Sequence, residues 1–412
     1  MGTGGYDGGP LVWKHPALWT GSEPTGDLGA DSWVALIHVA DRDHRDYVGH
    51  VDGRMERFRT TSNSHPVDRR DRARARDFHP GRLNPLLELI PKLEFEQMLA
   101  LSLDLGGSHI GCGVVRDNEL LGSASLDSEL AKSLESLLPC VTEALRTLLK
   151  QSGATVEECD GIAIGFPGIV DVRNGRILST LKKYEDAIHL DLNQWAIEQF
   201  GLGLRIENDA RMALLGEQYA GIVHGVRDVV MITLGTGIGG AAMMLGKLVR
   251  GAHAQAACLG GHLPVNYRGH TCTCGNVGCA EAEAAGWSLP RIVRETPGFD
   301  ESILAGVAQI DFQALFAAAR NEDAVALAVR QHCLNVWAVN AVALIHAYDP
   351  EVVVFGGGLM QSADVILPFV QRYVEKHAWT SWGTPRVCAA ILGGNAALLG
   401  AVPLLSEDLQ AM

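Results

Sequence analysis

His262-Leu-Pro-Val-Asn-Tyr-Arg-Gly-His-Thr-Cys272-Thr-Cys274-Gly-Asn-Val-Gly-Cys279-Ala-Glu281 places three cysteines within eight residues, with a glycine after the second, another before the third, and a histidine ten positions upstream of the first. Thiolate and imidazole are the ligands zinc prefers, and four of them close a tetrahedron. Gly275 and Gly278 let the chain turn tightly enough for Cys272, Cys274 and Cys279 to face one ion. The alternative is three unrelated buried thiols, or one disulfide and a spare cysteine. Clustered cysteines in a chain without an export signal favour the metal.

On either side of this knuckle the apolar pattern repeats. Leu101, Leu103 and Leu105 alternate, as do Ile110, Cys112 and Val114, and Asp104-Leu-Gly-Gly-Ser108 joins the two runs in a hairpin with a glycine turn. A third strand is expected near 120–125. Leu130, Leu134, Leu137, Val141, Leu145 and Leu148 then follow helical spacing, with Pro139 as a kink. The strand Gly161-Ile-Ala-Ile-Gly165 leads into the turn Phe166-Pro-Gly168-Ile-Val-Asp171, and helices over 193–200 and 210–220 flank a strand over 204–207. In the second half Asp228 opens the strand Val229-Val-Met-Ile-Thr-Leu234, which runs into Gly235-Thr-Gly-Ile-Gly-Gly240 and a further strand. A helix over 329–348, a buried strand over 351–355 ending in Gly356-Gly-Gly358, a strand over 387–391 and a helix over 395–405 complete the pattern.

A phosphate cradle needs backbone amides that approach closely, which glycine turns supply without a Cβ clash. Gly106-Gly107-Ser108 and Gly235-Thr236-Gly237 both qualify, at matching places in the two halves. Hairpins also use such glycines for steric reasons alone. Phosphoryl transfer further needs alignment, a metal to neutralise charge, and a carboxylate to take the proton from the attacking hydroxyl. Ile206-Glu-Asn-Asp209-Ala210 sets Asn208 and Asp209 at a strand-to-helix junction, where side chains project into a cleft. An ordinary helix N-cap is the competing reading of this pair.

Gly-His, a nine-residue gap and Cys-x-Cys-Gly-x-x-Gly-Cys-x-Glu resembles the zinc signature of the ROK family, named for repressors, open reading frames and kinases and containing bacterial sugar kinases. The likeness runs from about 99 to about 405. It implies an α/β, two-lobed, actin-like (ribonuclease H-like) ATPase fold with an interlobe cleft: a first lobe over 97–222, a second over 223–394 carrying the knuckle 262–281, and a C-terminal helix over 395–412 returning to the first. It implies Asp209 as general base, and Asn208, His262, Glu281 and Gly168 as sugar-binding residues. Asp104, Gly106, Gly107 and Ser108 correspond to one phosphate loop and its metal, Gly235, Thr236 and Gly237 to the other, and Gly356 and Gly357 to the adenosine contact. His262, Cys272, Cys274 and Cys279 would hold a structural zinc, since four protein ligands leave no open position for water. The implied cofactors are ATP, Mg2+ and Zn2+. Lys182-Lys183-Tyr184 is a further candidate for the sugar's border. Two positions depart from the pattern: His109 stands where these kinases often have lysine, and Leu259 where Glu-x-Gly-His is common. A leucine cannot accept a sugar hydroxyl's hydrogen bond, and leaving that hydroxyl unpaired costs about 1–3 kcal/mol.

The 412-residue chain carries 34 basic and 48 acidic residues, a formal charge of −14 that disfavours broad nucleic-acid binding. No basic n-region, apolar h-region or run of about 18 apolar residues is seen, so a cytoplasmic protein without a membrane partner is expected. Cys112, Cys140, Cys159, Cys258, Cys333 and Cys388 are scattered singly and read as reduced core thiols. Residues 1 to about 90 lack sustained periodicity and read as a mostly disordered extension, with a short helix over 85–96 that docks it. The two helices of a DNA-binding module are not visible there. The expected activity is transfer of the ATP γ-phosphate to the 6-hydroxyl of a glucose-like hexose, by a homodimer or homotetramer. An N-acetylhexosamine kinase, a sugar-sensing transcriptional regulator and a sugar-binding pseudokinase are the alternatives.

Overall fold

Leucine at every second position of Leu99–Leu105 and burial on both faces make this strand the centre of a sheet. The computed structural model describes residues 36–40, 45–51, 54–59, 97–106, 109–128, 133–180 and 183–407. The chain divides into two compact units, Met1–Lys92 and Leu93–Met412. In the first unit, β1 (Leu36–Ala40), β2 (Arg45–Val51) and β3 (Arg54–Arg59) form an antiparallel meander. Pairing of Val51 with Arg54 leaves Asp52-Gly53 between β2 and β3, a dipeptide that two-residue hairpins favour. The helix expected over 85–96, and the rest of the segment expected to be disordered, lie outside the described residues.

In the second unit β4 (Leu99–Leu105) pairs antiparallel with β5 (His109–Arg116), which pairs antiparallel with β6 (Glu119–Asp127). On its other side β4 runs parallel to β7 (Gly161–Phe166), and β7 parallel to β10 (Leu204–Asn208). Between β7 and β10, β8 (Ile169–Asp171) and β9 (Arg176–Ser179) form a hairpin. A second sheet repeats this plan. Its β11 (Val229–Leu234), β12 (Ile238–Met244) and β13 (Lys247–Leu248) are antiparallel, while β14 (Val352–Gly356) and β15 (Arg386–Ala389) add in parallel. The orders β6-β5-β4-β7-β10 and β13-β12-β11-β14-β15 are therefore the same topology twice. This is the two-lobed, actin-like, ribonuclease H-like architecture.

α1 (Leu134–Ser152) covers β5 and β6; Ser133 caps its start, Gly153 closes it in a left-handed conformation, and the helix continues unbroken through Pro139. α2 (Leu192–Phe200) packs beside β10. α3 (Asp209–Ala220), α9 (Ala396–Leu399) and α10 (Ala401–Ser406) lie between the sheets, where Met212, Leu215 and Leu399 bury against Ala163 of one and Met231 and Ala241 of the other. Gly216 of α3 meets the Ala396 carbonyl so closely that a Cβ would overlap it. The outer face of the second sheet is covered by α4 (Ala280–Ala284), α5 (Leu289–Glu295), α6 (Phe312–Arg320), α7 (Ala324–Tyr348) and α8 (Ala363–His377) around the buried Trp337.

Three expectations shift. α7 begins at Ala324, five residues before the expected start, because Asp323 accepts the Ala326 N–H as its N-cap. The C-terminal helix is two short pieces, since Pro403 has no N–H to bond the Leu399 carbonyl. All nine cysteines are unbridged, but Cys140 is exposed on the outer face of α1 rather than in the core. Among the described residues no helix is long and apolar enough to cross a membrane.

Candidate active site

The C-terminal ends of β4, β7 and β10 face those of β11 and β14 across a cleft, the place where open parallel sheets present ligand-binding loops. A cavity of about 510 Å³ is lined by Gly168, Asn208, Gly235, Thr236, Gly237, His262 and Glu281, together with Lys183 and Leu259. A second, of about 620 Å³, is lined by Asp104, Gly106, Gly356 and Gly357. Asp209 lines both and so stands where they meet. A third, of about 790 Å³, shares Gly235 and Thr236 with the first and Gly358 with the second, and is walled by Ile310, Phe312 and Phe316.

Asn208, not Asp209, caps α3: its Oδ1 accepts the Arg211 N–H at 3.3 Å, while its Nδ2 donates to the Gly168 carbonyl at 3.2 Å and to Asp209 Oδ1 at 2.9 Å. Asp209 Oδ1 also accepts the Ala210 N–H at 2.8 Å. Burial pushes the Asp209 carboxyl up to about 6, partly offset by these hydrogen bonds. Burial, and then the Asp209 charge, pushes Asp104 up to about 7. Two half-buried carboxyls, both raised by burial and one further by the charge of the other, beside glycine-rich turns suit a cation and the phosphates it would accompany. The Tyr184 hydroxyl donates to the Gly106 carbonyl at 3.1 Å, and its ring, 6.2 Å from that of Phe166, lies in the first lobe's core.

The knuckle brings His262, Cys272, Cys274 and Cys279 together, with all ligand atoms within 4.8 Å of one another. A tetrahedral zinc with sulfur at about 2.3 Å and nitrogen at about 2.0–2.1 Å sets S···S near about 3.8 Å and S···N near about 3.5 Å. Here Cys274 Sγ lies 3.7 Å from Cys279 Sγ, and Cys272 Sγ lies 3.5 Å from His262 Nδ1. The group therefore could hold zinc, with His262 binding through Nδ1. Burial pushes the Cys272 and Cys279 thiols above the usual range, so a cation is what would release their protons. Gly278, left-handed at φ 69°, passes the Asn266 carbonyl so closely that no Cβ fits. Glu281, two residues beyond Cys279, ties the knuckle to the second glycine turn: Oε2 accepts the Ile238 N–H at 2.9 Å and Oε1 the Trp287 indole N–H at 3.2 Å.

Of the residues singled out by sequence, Asp104, Gly106, Gly168, Asn208, Asp209, Gly235, Thr236, Gly237, His262, Glu281, Gly356 and Gly357 converge on these cavities. Gly107, Ser108 and Lys182 lie outside the described residues. Thr180, Thr233 and Trp287, which line the cleft, and Tyr184's bond to Gly106 were not foreseen. Only Tyr184 carried a signal, through its place beside Lys183.

The sequence pattern of the ROK family matches residues 100–408. The chain belongs to the ROK family. This ROK protein is 31% identical to the glucokinase of Thermotoga maritima over 325 residues, 77% of this chain and 99% of that one. It is 28% identical to a putative xylose repressor of Caldicellulosiruptor sp. over 320 residues, 76% of this chain and 79% of the repressor. A ROK family glucokinase from Streptomyces griseus, solved with glucose and AMPPNP, matches its structure with a TM-score of 0.63 at 29% identity, covering 74% of this chain and 98% of that one.

Proposed function

We propose that the protein is an ATP-dependent sugar kinase that transfers the γ-phosphate to the 6-hydroxyl of a glucose-like hexose. The observation that carries this reading is Asp209 at the junction of two cavities, one bearing Asn208, His262 and Glu281 and the other Asp104 and Gly106. The sugar would occupy the cavity of His262, Asn208 and Glu281, and the triphosphate the cavity of Asp104 and Gly106. As the sugar oxygen bonds to γ-phosphorus and the bond from phosphorus to the β–γ bridging oxygen breaks, Asp209 takes the hydroxyl proton and ADP leaves. A carboxyl raised to about 6 is ionised at neutral pH yet basic enough to accept that proton. Asp104 would hold the magnesium ion accompanying the nucleotide, which supplies charge neutralisation. Zinc in the knuckle would be structural, its work being to fix His262 and Glu281 against the cleft. Asn208 spends both Nδ2 hydrogens on Gly168 and Asp209 and one Oδ1 lone pair on the Arg211 N–H, which leaves the second Oδ1 lone pair to accept a sugar hydroxyl. We further propose a cytoplasmic homodimer or homotetramer without nucleic-acid or membrane partners.

A coupled ADP-release assay over a panel of hexoses and N-acetylhexosamines tests the reading. The expected outcome is turnover with at least one sugar, glucose first. Leu259 on the sugar-side cavity favours a second reading, a sugar-binding regulator or pseudokinase, which the repressor match also supports. Binding of a sugar without any ADP release would establish that second reading and refute the first.

A further inference from the structure

We infer that Arg211 is a positioning residue that shapes the sugar-side wall of the cleft by pinning a strained backbone loop; its effect on sugar binding rests on the kinase reading above. The segment 249–259 connects β13 to the short turn Gly260–His262 and ends in Cys258 and Leu259, both on the sugar-side cavity. Within it Ala254 and Ala257 have φ of 56° and 63°, a left-handed conformation that alanine keeps only when its surroundings hold it. Backbone bonds from the Ala256 N–H to the Arg250 carbonyl at 3.1 Å and from the Gly260 N–H to the Ala257 carbonyl at 2.9 Å close the loop on itself, and one guanidinium anchors it to α3. Arg211, fully buried on α3, donates from Nη1 and Nη2 to the Ala254 carbonyl at 3.2 Å each and from Nη2 to the Ala256 carbonyl.

The guanidinium is itself aimed. Glu207, fully buried, accepts Arg211 Nη1 at 3.1 Å through Oε1 and Arg250 Nε at 2.6 Å through Oε2, and Arg250 reaches Glu407 at 2.6 Å. The same Glu207 Oε1 accepts the Asn208 N–H at 2.8 Å. One carboxylate thus fixes the backbone beside Asp209 and, through Arg211, the loop that forms the opposite wall. The planar fork spreads these bonds over two nitrogens, whereas an ammonium would have to bring Glu207 and both carbonyls within reach of one atom.

The test uses the full chain with Arg211→Lys, which keeps a cation beside Glu207. Hydrogen exchange over 254–259 should accelerate about tenfold while the two sheets keep their protection, because a single ammonium leaves the loop's carbonyls unpinned. The KM for the preferred sugar should rise about tenfold, with kcat and the KM for ATP within about threefold. A second variant leaves the buried charges intact: Ala254→Gly with Ala257→Gly removes the strain but not the pin, so loop protection and sugar KM should match the wild type. Unchanged exchange in Arg211→Lys, or a loss of protection and sugar KM in the double-glycine chain, overturns the inference. A general fall in protection with sugar KM unaltered also overturns it, since that is what a merely structural arginine gives. The exchange readout needs neither sugar nor ATP, so a wild type that phosphorylates nothing refutes the kinase reading while the pin is still decided.

Discussion

Asp209→Asn separates proton transfer from architecture more cleanly than any other substitution in the cleft. Both hydrogen bonds that hold Asp209, from the Ala210 N–H at 2.8 Å and from Asn208 Nδ2 at 2.9 Å, fall on Oδ1. An amide oxygen can accept both, so the side chain keeps its place. The N-cap of α3 is Asn208, so the helix loses no cap. What disappears is a carboxylate raised to about 6 by burial, replaced by a group that takes no proton. General-base catalysis contributes about 10²–10⁴-fold, so turnover should fall by that factor, about 3–5 kcal/mol in the barrier. Sugar KM should move less than about threefold, because the amide still hydrogen-bonds. In the wild type, turnover should decline on acidification through about pH 6, as the base becomes protonated. ADP release and sugar affinity measured in parallel check both parts. Turnover within tenfold of wild type, with folding intact, would refute the assignment of Asp209 as base.

Metal analysis should find about one zinc per chain, and Cys274→Ser should lower thermal stability and sugar affinity together; a folded, active, zinc-free protein contradicts this. Asp104 is raised to about 7 in the fold, from an ordinary 3.8, so the native state binds the extra proton and loses stability as pH rises between those values. Ligand-free Asp104→Asn should therefore melt above the wild type at pH 8, with the gap closing toward pH 4; an unchanged gap across that range counts against the burial argument. A chain beginning at Arg82 should keep its melting temperature and its activity, because Met1–Lys92 is a compact unit separate from Leu93–Met412; loss of folding on truncation shows that the two depend on each other.

The fold was legible where periodicity was strong and burial two-sided. Alternating leucines marked β4, and the uninterrupted apolar runs at Val229–Leu234 and Val352–Gly356 read as strands, the second as a buried one, because such a run has few other places to go. The helices α4, α5 and α6 escaped notice because they are short, at five, seven and nine residues, and so span too few turns for a 3.6-residue apolar stripe to repeat. β1, β2 and β3 escaped for a different reason: Arg45–Val51 and Arg54–Arg59 mix arginine, aspartate and glutamate with isolated apolar residues, a composition that resembles solvated chain.

In the cleft, residues carried by spacing were legible and residues carried by chain crossing were not. His262, Cys272, Cys274 and Cys279 sit near enough in sequence for ligand geometry to be read directly, and Asn208-Asp209 announces a strand-to-helix corner. Tyr184 reaches Gly106 across 78 positions, and Arg211 reaches the Ala254 carbonyl across 43. Neither link leaves a local pattern: Arg211 reads as one more position of a helix, and Tyr184 is marked only by its place in Lys182-Lys183-Tyr184. Their burial is what reveals them: the Arg211 guanidinium enters the interior where a carboxylate and two carbonyls meet its Nη1 and Nη2 ends, its Nε being left without a partner, and those bonds tie the base's corner to the wall bearing Leu259. The unusual leucine is consequently not an isolated departure. It ends a loop whose shape depends on Arg211, so restoring an acceptor by Leu259→Glu alone places the carboxylate where the pinned loop, not the family pattern, dictates.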